Sequence, residues 1–112
     1  MSGCLFCRIV SGEAPATIVH RNADIVAFRD IHPQAPTHIL VIPAKHVESV
    51  AHLEPGDADL MGRLITTAKD IAAQEGLAGY RLVINTGREA GQSVFHLHVH
   101  LLGGRSMHWP PG

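Results

Sequence analysis

Three histidines alternate with aliphatic residues near the end of this chain, in the run His96-Leu97-His98-Val99-His100. Successive side chains of a β-strand point to opposite faces, so a strand here presents three imidazoles on one face and aliphatic groups on the other. We expect the aliphatic side to lie under a helix. Packing alone does not explain a row of three imidazoles, and the row therefore predicts a functional site.

The remaining periodicity predicts an α+β fold. Residues 57–76 carry apolar side chains at helical spacing and predict one long helix. Short connections between neighbouring strands favour an antiparallel sheet with this helix on one face, and we expect the other face to be open. Strands are predicted at 17–20, 25–28, 37–42, 80–85 and 94–102, and short helices at 4–12 and 45–53. A length of 112 residues with 46% hydrophobic residues predicts a single domain, residues 1–112.

Charge and hydropathy exclude several classes of partner. The formal net charge is −1 without a run of like charge, which argues against nucleic acid and anionic membrane surfaces. No apolar run approaches the length of a membrane span, and the N-terminus lacks the pattern of a secretory signal. We therefore expect a cytoplasmic protein, in which Cys4 and Cys7 are reduced or bound to metal.

Two chemistries suit the row of imidazoles. They can be ligands of a transition metal used for hydrolysis or redox work. Alternatively, one imidazole attacks an electrophile while its neighbours handle protons and charge. The residues upstream favour the second, because Gly91, Gln92 and Ser93 combine a flexible backbone with a hydroxyl that can hold phosphate oxygens, and Asn85 can add an amide.

At this point the sequence resembles a known family. The run from His96 to Leu102, the segment Asp30–His38, the motif Gly91–Phe95 and the ending Met107–Gly112 are similar to the histidine triad (HIT) family, in particular its nucleotide-binding (Hint) branch. The resemblance covers nearly the whole chain and implies a HIT-like five-stranded antiparallel sheet with one long helix and a short N-terminal helix. It also implies a homodimer with a continuous sheet, in which the tail packs against the partner subunit's active-site rim.

The resemblance implies a purine nucleoside phosphoramidase, of the adenosine 5'-monophosphoramidase type. His98 would attack the α-phosphorus of an AMP-like substrate and form a nucleotidyl-histidine that water hydrolyses. His100 and Ser93 would contact the phosphate and the leaving group, and His38 would complete the imidazole network, with no cofactor required for catalysis. Histidine at position 100 favours hydrolysis, because the transferase branch has glutamine there.

The resemblance also implies a nucleotide-binding pocket. Asn85 and the backbone of residues 91–93 would position phosphate oxygens, and Asp30 would bind the ribose hydroxyls. Phe28 and Leu40 are as compatible with a plain core position as with a base pocket. The other residues implied in nucleotide binding are Phe6, Ile31, His100 and Trp109.

The pair Cys4-Leu5-Phe6-Cys7 has the spacing of a zinc knuckle, but a tetrahedral site needs two more ligands. The pair resembles bacterial HIT proteins in which two cysteines and two histidines bind structural zinc, and the matching histidines are His46 and His96. The alternative is a pair of partly buried thiols without metal. If zinc binds, His96 is a structural ligand and catalysis is left to His98, His100 and His38.

Three other functions stay open beside the phosphoramidase. The first is a nucleotide-binding regulatory protein with little physiological catalysis. The second is a metalloenzyme with the triad as its ligands. The third is a dinucleoside polyphosphate hydrolase of the same family, against which the ending Trp109–Gly112 argues by resemblance.

Overall fold

The computed structural model describes residues 3–112, and its centre is one antiparallel sheet. The strands are β1 (Ile18–Arg21), β2 (Ile25–Arg29), β3 (Thr37–Pro43), β4 (Tyr80–Val83) and β5 (Val99–Gly103), in the spatial order β1-β2-β3-β5-β4. The two α-helices are α1 (Leu5–Ser11) and α2 (Ala58–Gln74), and 3₁₀ turns lie at Val50–His52, Pro55–Asp57 and Arg88–Ala90. The predicted α+β class, with five antiparallel strands, one long helix and a short N-terminal helix, is confirmed.

The helix α2 covers one face of the sheet. Its buried residues recur at helical spacing, and alternate residues of β2, β3 and β5 meet them. Burial of an aliphatic side chain of this kind contributes about 1.5–3 kcal/mol. Leu97 joins this core although it precedes β5. The core residues on this side include Leu60, Leu64, Ala68, Ile71, Ile25, Ala27, Ile39, Val41, Leu97, Val99 and Leu101.

The opposite face is not open, and our expectation on this point was wrong. The helix α1 packs across β2 and β3, where Phe6 and Ile9 are buried one turn apart. They form a second apolar cluster, whose sheet residues are Val26, Phe28, Leu40 and Ile42. The helix ends at Gly12, whose φ of 86° is readily adopted only by glycine. This packing brings the N-terminal segment beside the imidazole face.

Three predicted elements are shorter than expected. The helix predicted at 45–53 is a single 3₁₀ turn, Val50–His52, and the strand predicted at 80–85 ends at Val83. The strand predicted at 94–102 begins only at Val99, where it pairs with Val41 of β3. Two residues further along, the same register would bring Pro43 opposite Leu97. Proline has no N–H to donate, so the ladder ends before that pair.

No helix in the described part of the chain combines the length and the apolar character that a bilayer crossing requires.

We expect Gly104→Ala to destabilise the fold. Gly104 has a φ of 90°, and a Cβ added there would lie 2.9 Å from Cβ of Pro36. Strain of this kind costs about 1–3 kcal/mol, measured as a fall in the free energy of unfolding in urea. Gly62→Ala is the matched control, because a Cβ on this exposed helical residue meets nothing within 4 Å. This control should gain about 0.5–1 kcal/mol, and an equal effect of the two substitutions would contradict the prediction.

Candidate active site

One cavity of about 600 Å³ gathers most of the predicted nucleotide site. Its walls come from α1, from β2 and the loop that follows it, from β3, and from residues 93–100. Apolar side chains of the second cluster and polar groups of the imidazole face therefore line the same space. The predicted residues in its lining are Phe6, Phe28, Asp30, Ile31, His38, Leu40, Ser93, His98 and His100.

Four predicted nucleotide-binding residues do not line this cavity. Asn85 follows β4, and Gly91 and Gln92 immediately precede the lining residue Ser93. The Gln92 side chain is buried and bonded to main-chain groups, which leaves its backbone as the part that can meet a ligand. Trp109 is 82% exposed on the C-terminal tail.

His98 is held with its proton on one defined nitrogen. Its Nδ1 lies 2.7 Å from the carbonyl oxygen of His96. A carbonyl only accepts hydrogen bonds, so Nδ1 carries the proton and Nε2 keeps the lone pair. Burial lowers the pKa of His98, against an opposing effect of the hydrogen bond to His96. The ring also meets Phe6 edge-on, with centroids 5.2 Å apart. This imidazole is therefore neutral at pH 7, and its Nε2 carries a lone pair that can act as a nucleophile.

A second chain of hydrogen bonds sets the proton of His100. The backbone N–H of Gln34 donates to Nδ1 of His38 at 3.0 Å, so the His38 proton is on Nε2. That nitrogen lies 2.9 Å from Nδ1 of His100 and 3.5 Å from Oδ2 of Asp30. The His100 proton is therefore on Nε2, which is buried and has no hydrogen-bond partner within residues 3–112. A buried donor left without an acceptor costs about 1–3 kcal/mol, which favours a ligand oxygen at this point.

Burial keeps His100 neutral over the physiological range. Burial lowers its pKa to about 4, with smaller contributions from His98 and His38 in the same direction and an opposing one from Asp30. Burial likewise lowers the pKa of His38, although Asp30 opposes that shift. His100 is therefore a hydrogen-bond donor through Nε2, and it carries no charge at neutral pH.

His96 lies outside this cavity and belongs to a second cluster. Sγ of Cys4, Sγ of Cys7, Nδ1 of His46 and Nδ1 of His96 all lie within 4.8 Å of one another. Nε2 of His96 is 2.8 Å from the carbonyl oxygen of Pro43, so its proton is on Nε2 and the lone pair of Nδ1 points into the cluster. The expected row of three imidazoles on one open face is thus divided between two sites.

The spacing of this cluster fits a tetrahedral zinc ion. The distances from Nδ1 of His96 are 3.4 Å to Sγ of Cys4, 3.5 Å to Sγ of Cys7 and 3.2 Å to Nδ1 of His46. Sγ of Cys7 lies 3.3 Å from Nδ1 of His46. Ligand atoms around one tetrahedral zinc are roughly 3.3–3.8 Å apart, and two sulfurs with two imidazoles are a donor set typical of structural zinc.

A third group of metal-ligand type is less suited to an ion. Asp30, His38 and His100 also bring one potential ligand atom each within 4.8 Å. However, the N–H of Gln34 fixes the His38 proton on Nε2, and that proton stands where a metal would have to bind. The geometry therefore argues against a metal ion at Asp30, His38 and His100, and so against the metalloenzyme alternative.

Fold and site together define a histidine triad protein with an additional Cys-x-x-Cys cluster. The chain belongs to the HIT domain family, whose family model matches residues 11–107. It is 50% identical to the 14 kDa zinc-binding protein of Zea mays, with 99% of this chain and 89% of the maize protein covered. Identity to adenylylsulfatase HINT1 of Arabidopsis thaliana is also 50%, over 99% of this chain and 78% of that protein.

A solved structure extends the comparison. The crystal structure of a HIT family hydrolase from Legionella pneumophila superposes with a TM-score of 0.96 at 52% sequence identity, covering 98% of this chain and 100% of that chain. The resemblance to the Hint branch with a Cys-x-x-Cys pair, inferred from the sequence motifs, is confirmed.

We expect the imidazole protons to be visible by ¹⁵N NMR. At pH 7 the long-range ¹H–¹⁵N spectra should show His98 as the Nδ1–H tautomer and His38 and His100 as the Nε2–H tautomer. Because burial lowers the pKa of His100 to about 4, its neutral pattern should persist at pH 5. An Nδ1–H tautomer at His100, or its protonation near pH 6.5, would contradict this arrangement.

Proposed function

We propose that this protein is a purine nucleotide hydrolase that acts at the α-phosphate, with nucleoside phosphoramidates as its substrates. The observation that carries the proposal is the pairing of two opposite functions in one cavity. His98 offers a lone pair at Nε2, and His100 offers an N–H at Nε2 that finds no acceptor in the described part of the chain. The two ring centroids are 4.8 Å apart. An electrophilic phosphorus bound between them meets a nucleophile and a donor for its oxygens.

The shape of the cavity supports a nucleotide. Phe6, Phe28 and Leu40 supply apolar walls on which a purine ring can pack. Asp30 lines the same cavity, with Oδ2 3.5 Å from Nε2 of His38, and a ribose hydroxyl can donate to its carboxylate. The cavity therefore offers apolar walls for a base, an acceptor for a sugar and donors for a phosphate.

The reaction proceeds in two displacements at phosphorus. Nε2 of His98 attacks, a P–N bond to the imidazole forms, and the bond to the substrate amine breaks. The amine leaves with a proton from solvent, because a neutral imidazole is a weak acid. The N–H of His100 and the hydroxyl of Ser93 donate to the phosphate oxygens, where negative charge has to be stabilised. Water then attacks the same phosphorus: a P–O bond forms, the P–N bond to His98 breaks and returns the lone pair to Nε2, and a proton of the water passes to solvent as AMP is released.

The names of two relatives support hydrolysis at the α-phosphorus. The Legionella structure is titled a HIT family hydrolase, and the Arabidopsis relative is named an adenylylsulfatase. Adenylyl sulfate carries its leaving group on the α-phosphorus, as an adenosine phosphoramidate does. Adenylyl sulfate is therefore a second candidate substrate, and it would pass through the same nucleotidyl-histidine.

The proposal predicts a covalent intermediate on His98. Incubation with an adenosine 5'-phosphoramidate should give an adenylylated protein by intact mass, and peptide mapping should place the adduct on His98. His98→Ala and the bulkier His98→Asn should form no adduct and lose at least about 10³-fold in kcat.

His20→Ala is the matched control, because His20 lies on β1 away from the cavity. It should retain the adduct and the activity. An adduct on another residue, or full activity of the folded His98 variants, would contradict the mechanism.

We also propose that Cys4, Cys7, His46 and His96 hold a structural zinc ion. The spacing of the four ligand atoms and the lone pair directed by Pro43 support this, as does the name of the maize relative. Bound zinc would supply a cross-link between α1 and the segments that carry the two histidines. No step of the reaction depends on it.

Zinc loss should be measurable as lost stability. Protein purified without added zinc should contain about one zinc per chain, and Cys7→Ser should contain far less. Excess zinc at about 1,000 times its Kd should raise the free energy of unfolding by about 4 kcal/mol in the wild type. His52→Ala, which removes an exposed histidine outside the cluster, is the control and should keep its metal. Wild-type protein with far less than one equivalent would contradict the site.

The homodimer remains part of the proposal. β4 is an edge strand of the sheet, and Trp109 is an exposed aromatic residue on a tail with little core of its own. A second copy that paired at this edge would complete the sheet and cover apolar surface.

A further inference from the structure

We propose that Gln92 is a positioning residue for phosphoryl transfer. Its side-chain amide fixes the loop of residues 87–94, which presents Ser93 to the cavity. The Ser93 hydroxyl and the nearby backbone N–H groups can then meet the phosphate oxygens. The inference rests on the proposed function and adds to it a role for a side chain that does not itself touch the substrate.

Every hydrogen-bonding group of the Gln92 amide is used. The side chain is among the buried polar groups, with 3% of the residue exposed. Its Oε1 accepts from the N–H of Gly87 at 2.8 Å. Its Nε2 donates to the carbonyl of Glu48 at 2.7 Å and to that of Val94 at 3.2 Å. A glutamine amide nitrogen has two hydrogens, and both are bonded.

These bonds close the loop at both ends. The backbone N–H of Gln92 donates to the carbonyl of Gly87 at 3.1 Å, while its side chain accepts from the N–H of the same glycine. Gly87 and Gly91 have φ values of 86° and 95°. These two glycines permit the tight path of the loop, and the glutamine selects one geometry from those that flexible glycines allow.

The part of the loop held in this way adjoins the reacting groups. Ser93 and Val94 line the same cavity as His98. The Gln92 side chain donates to the carbonyl of Val94, the residue that follows Ser93. This bond therefore restrains the main chain immediately after Ser93. Donors placed for the transition state are sensitive to position, and a shift of 1 Å can cost about 10²-fold in rate.

The bond to Glu48 connects this loop to a second segment. The neighbouring carbonyl of Val47 accepts from the N–H of Leu97, which lies inside the triad, at 2.6 Å. One short segment therefore contacts both the Gln92 amide and the main chain of the triad. Removal of the amide would release the loop from a support that also holds the segment carrying His98.

A merely structural amide and a positioning amide have different kinetic effects. Loss of a structural contact reduces the fraction of folded protein and leaves the rate of each folded molecule unchanged. Loss of a positioning contact slows the chemical step of molecules that are folded and bind substrate. The amplitude and the rate of adduct formation in a single turnover separate these two effects.

Gln92→Glu and Gln92→Met test the inference. Glutamate has the same shape, but it places a carboxylate oxygen where the amide nitrogen donates to the carbonyls of Glu48 and Val94. Methionine has a similar length and cannot donate a hydrogen bond to either carbonyl. With an adenosine 5'-phosphoramidate, both variants should form the adduct about 10–100-fold more slowly. Adduct occupancy should still reach the wild-type level, and KM should change little in comparison with kcat. If the glutamate variant does not fold, the methionine variant carries the test.

Asn22→Ala is the matched control. The side-chain oxygen of Asn22 accepts from the backbone N–H groups of Asp24 and Ile25, both at 2.9 Å, and so braces the β1–β2 turn away from the cavity. This control should lower the free energy of unfolding without changing the rate of adduct formation.

Two results would overturn the inference alone, with the wild type active. One is a Gln92→Met variant that reacts at the wild-type rate. The other is a variant that loses amplitude in proportion to its unfolded fraction while its rate is unchanged. A wild-type protein that forms no adduct would instead contradict the proposed function, and the role of Gln92 with it.

Discussion

Main-chain groups fix the protons of His96, His98 and His38, and His38 in turn fixes that of His100. The chemistry of both sites depends on this constraint. The carbonyls of Pro43 and His96 accept from His96 and His98, and the N–H of Gln34 donates to His38. A carbonyl cannot donate and an amide N–H cannot accept, so the other nitrogen of each ring has a defined role. His96 and His98, two histidines separated by one residue, consequently belong to the Cys/His cluster and to the cavity, respectively.

The two-sided packing of the sheet keeps these main-chain groups in place. On β3, Val41 pairs with Val99 on the α2 side, whereas Leu40 pairs with His100 on the cavity side. Residues of the α2-side core and residues that face the cavity therefore alternate along the same two strands. Burial on the cavity side lowers the pKa of His38, His98 and His100, and the cluster under α2 covers the other face of the same strands.

Periodicity and family motifs predict the parts of this structure that depend on repeated side chains. The apolar stripe of α2 and the alternation of Leu97, Val99 and Leu101 are examples, and the motifs predict half of the residues that line the cavity. Sequence reasoning fails where a single backbone group decides the outcome. The early end of the β3–β5 ladder depends on the register that brings Pro43 opposite Leu97, and the tautomer of His38 depends on a main-chain N–H that no side-chain pattern reveals. The cover over the second face could have been inferred from the apolar pair Phe6 and Ile9.

The first turn of α1 belongs to three environments at once. Cys4 and Cys7 form part of the Cys/His cluster, and the ring of Phe6 between them contacts the rings of Phe28, His96 and His98. A substitution at position 6 would thus disturb the proposed zinc site, the packing under α1 and the proposed base pocket together. Divergence in base preference among related proteins should accordingly accumulate at lining positions outside this turn, such as Ile9 and Ala14.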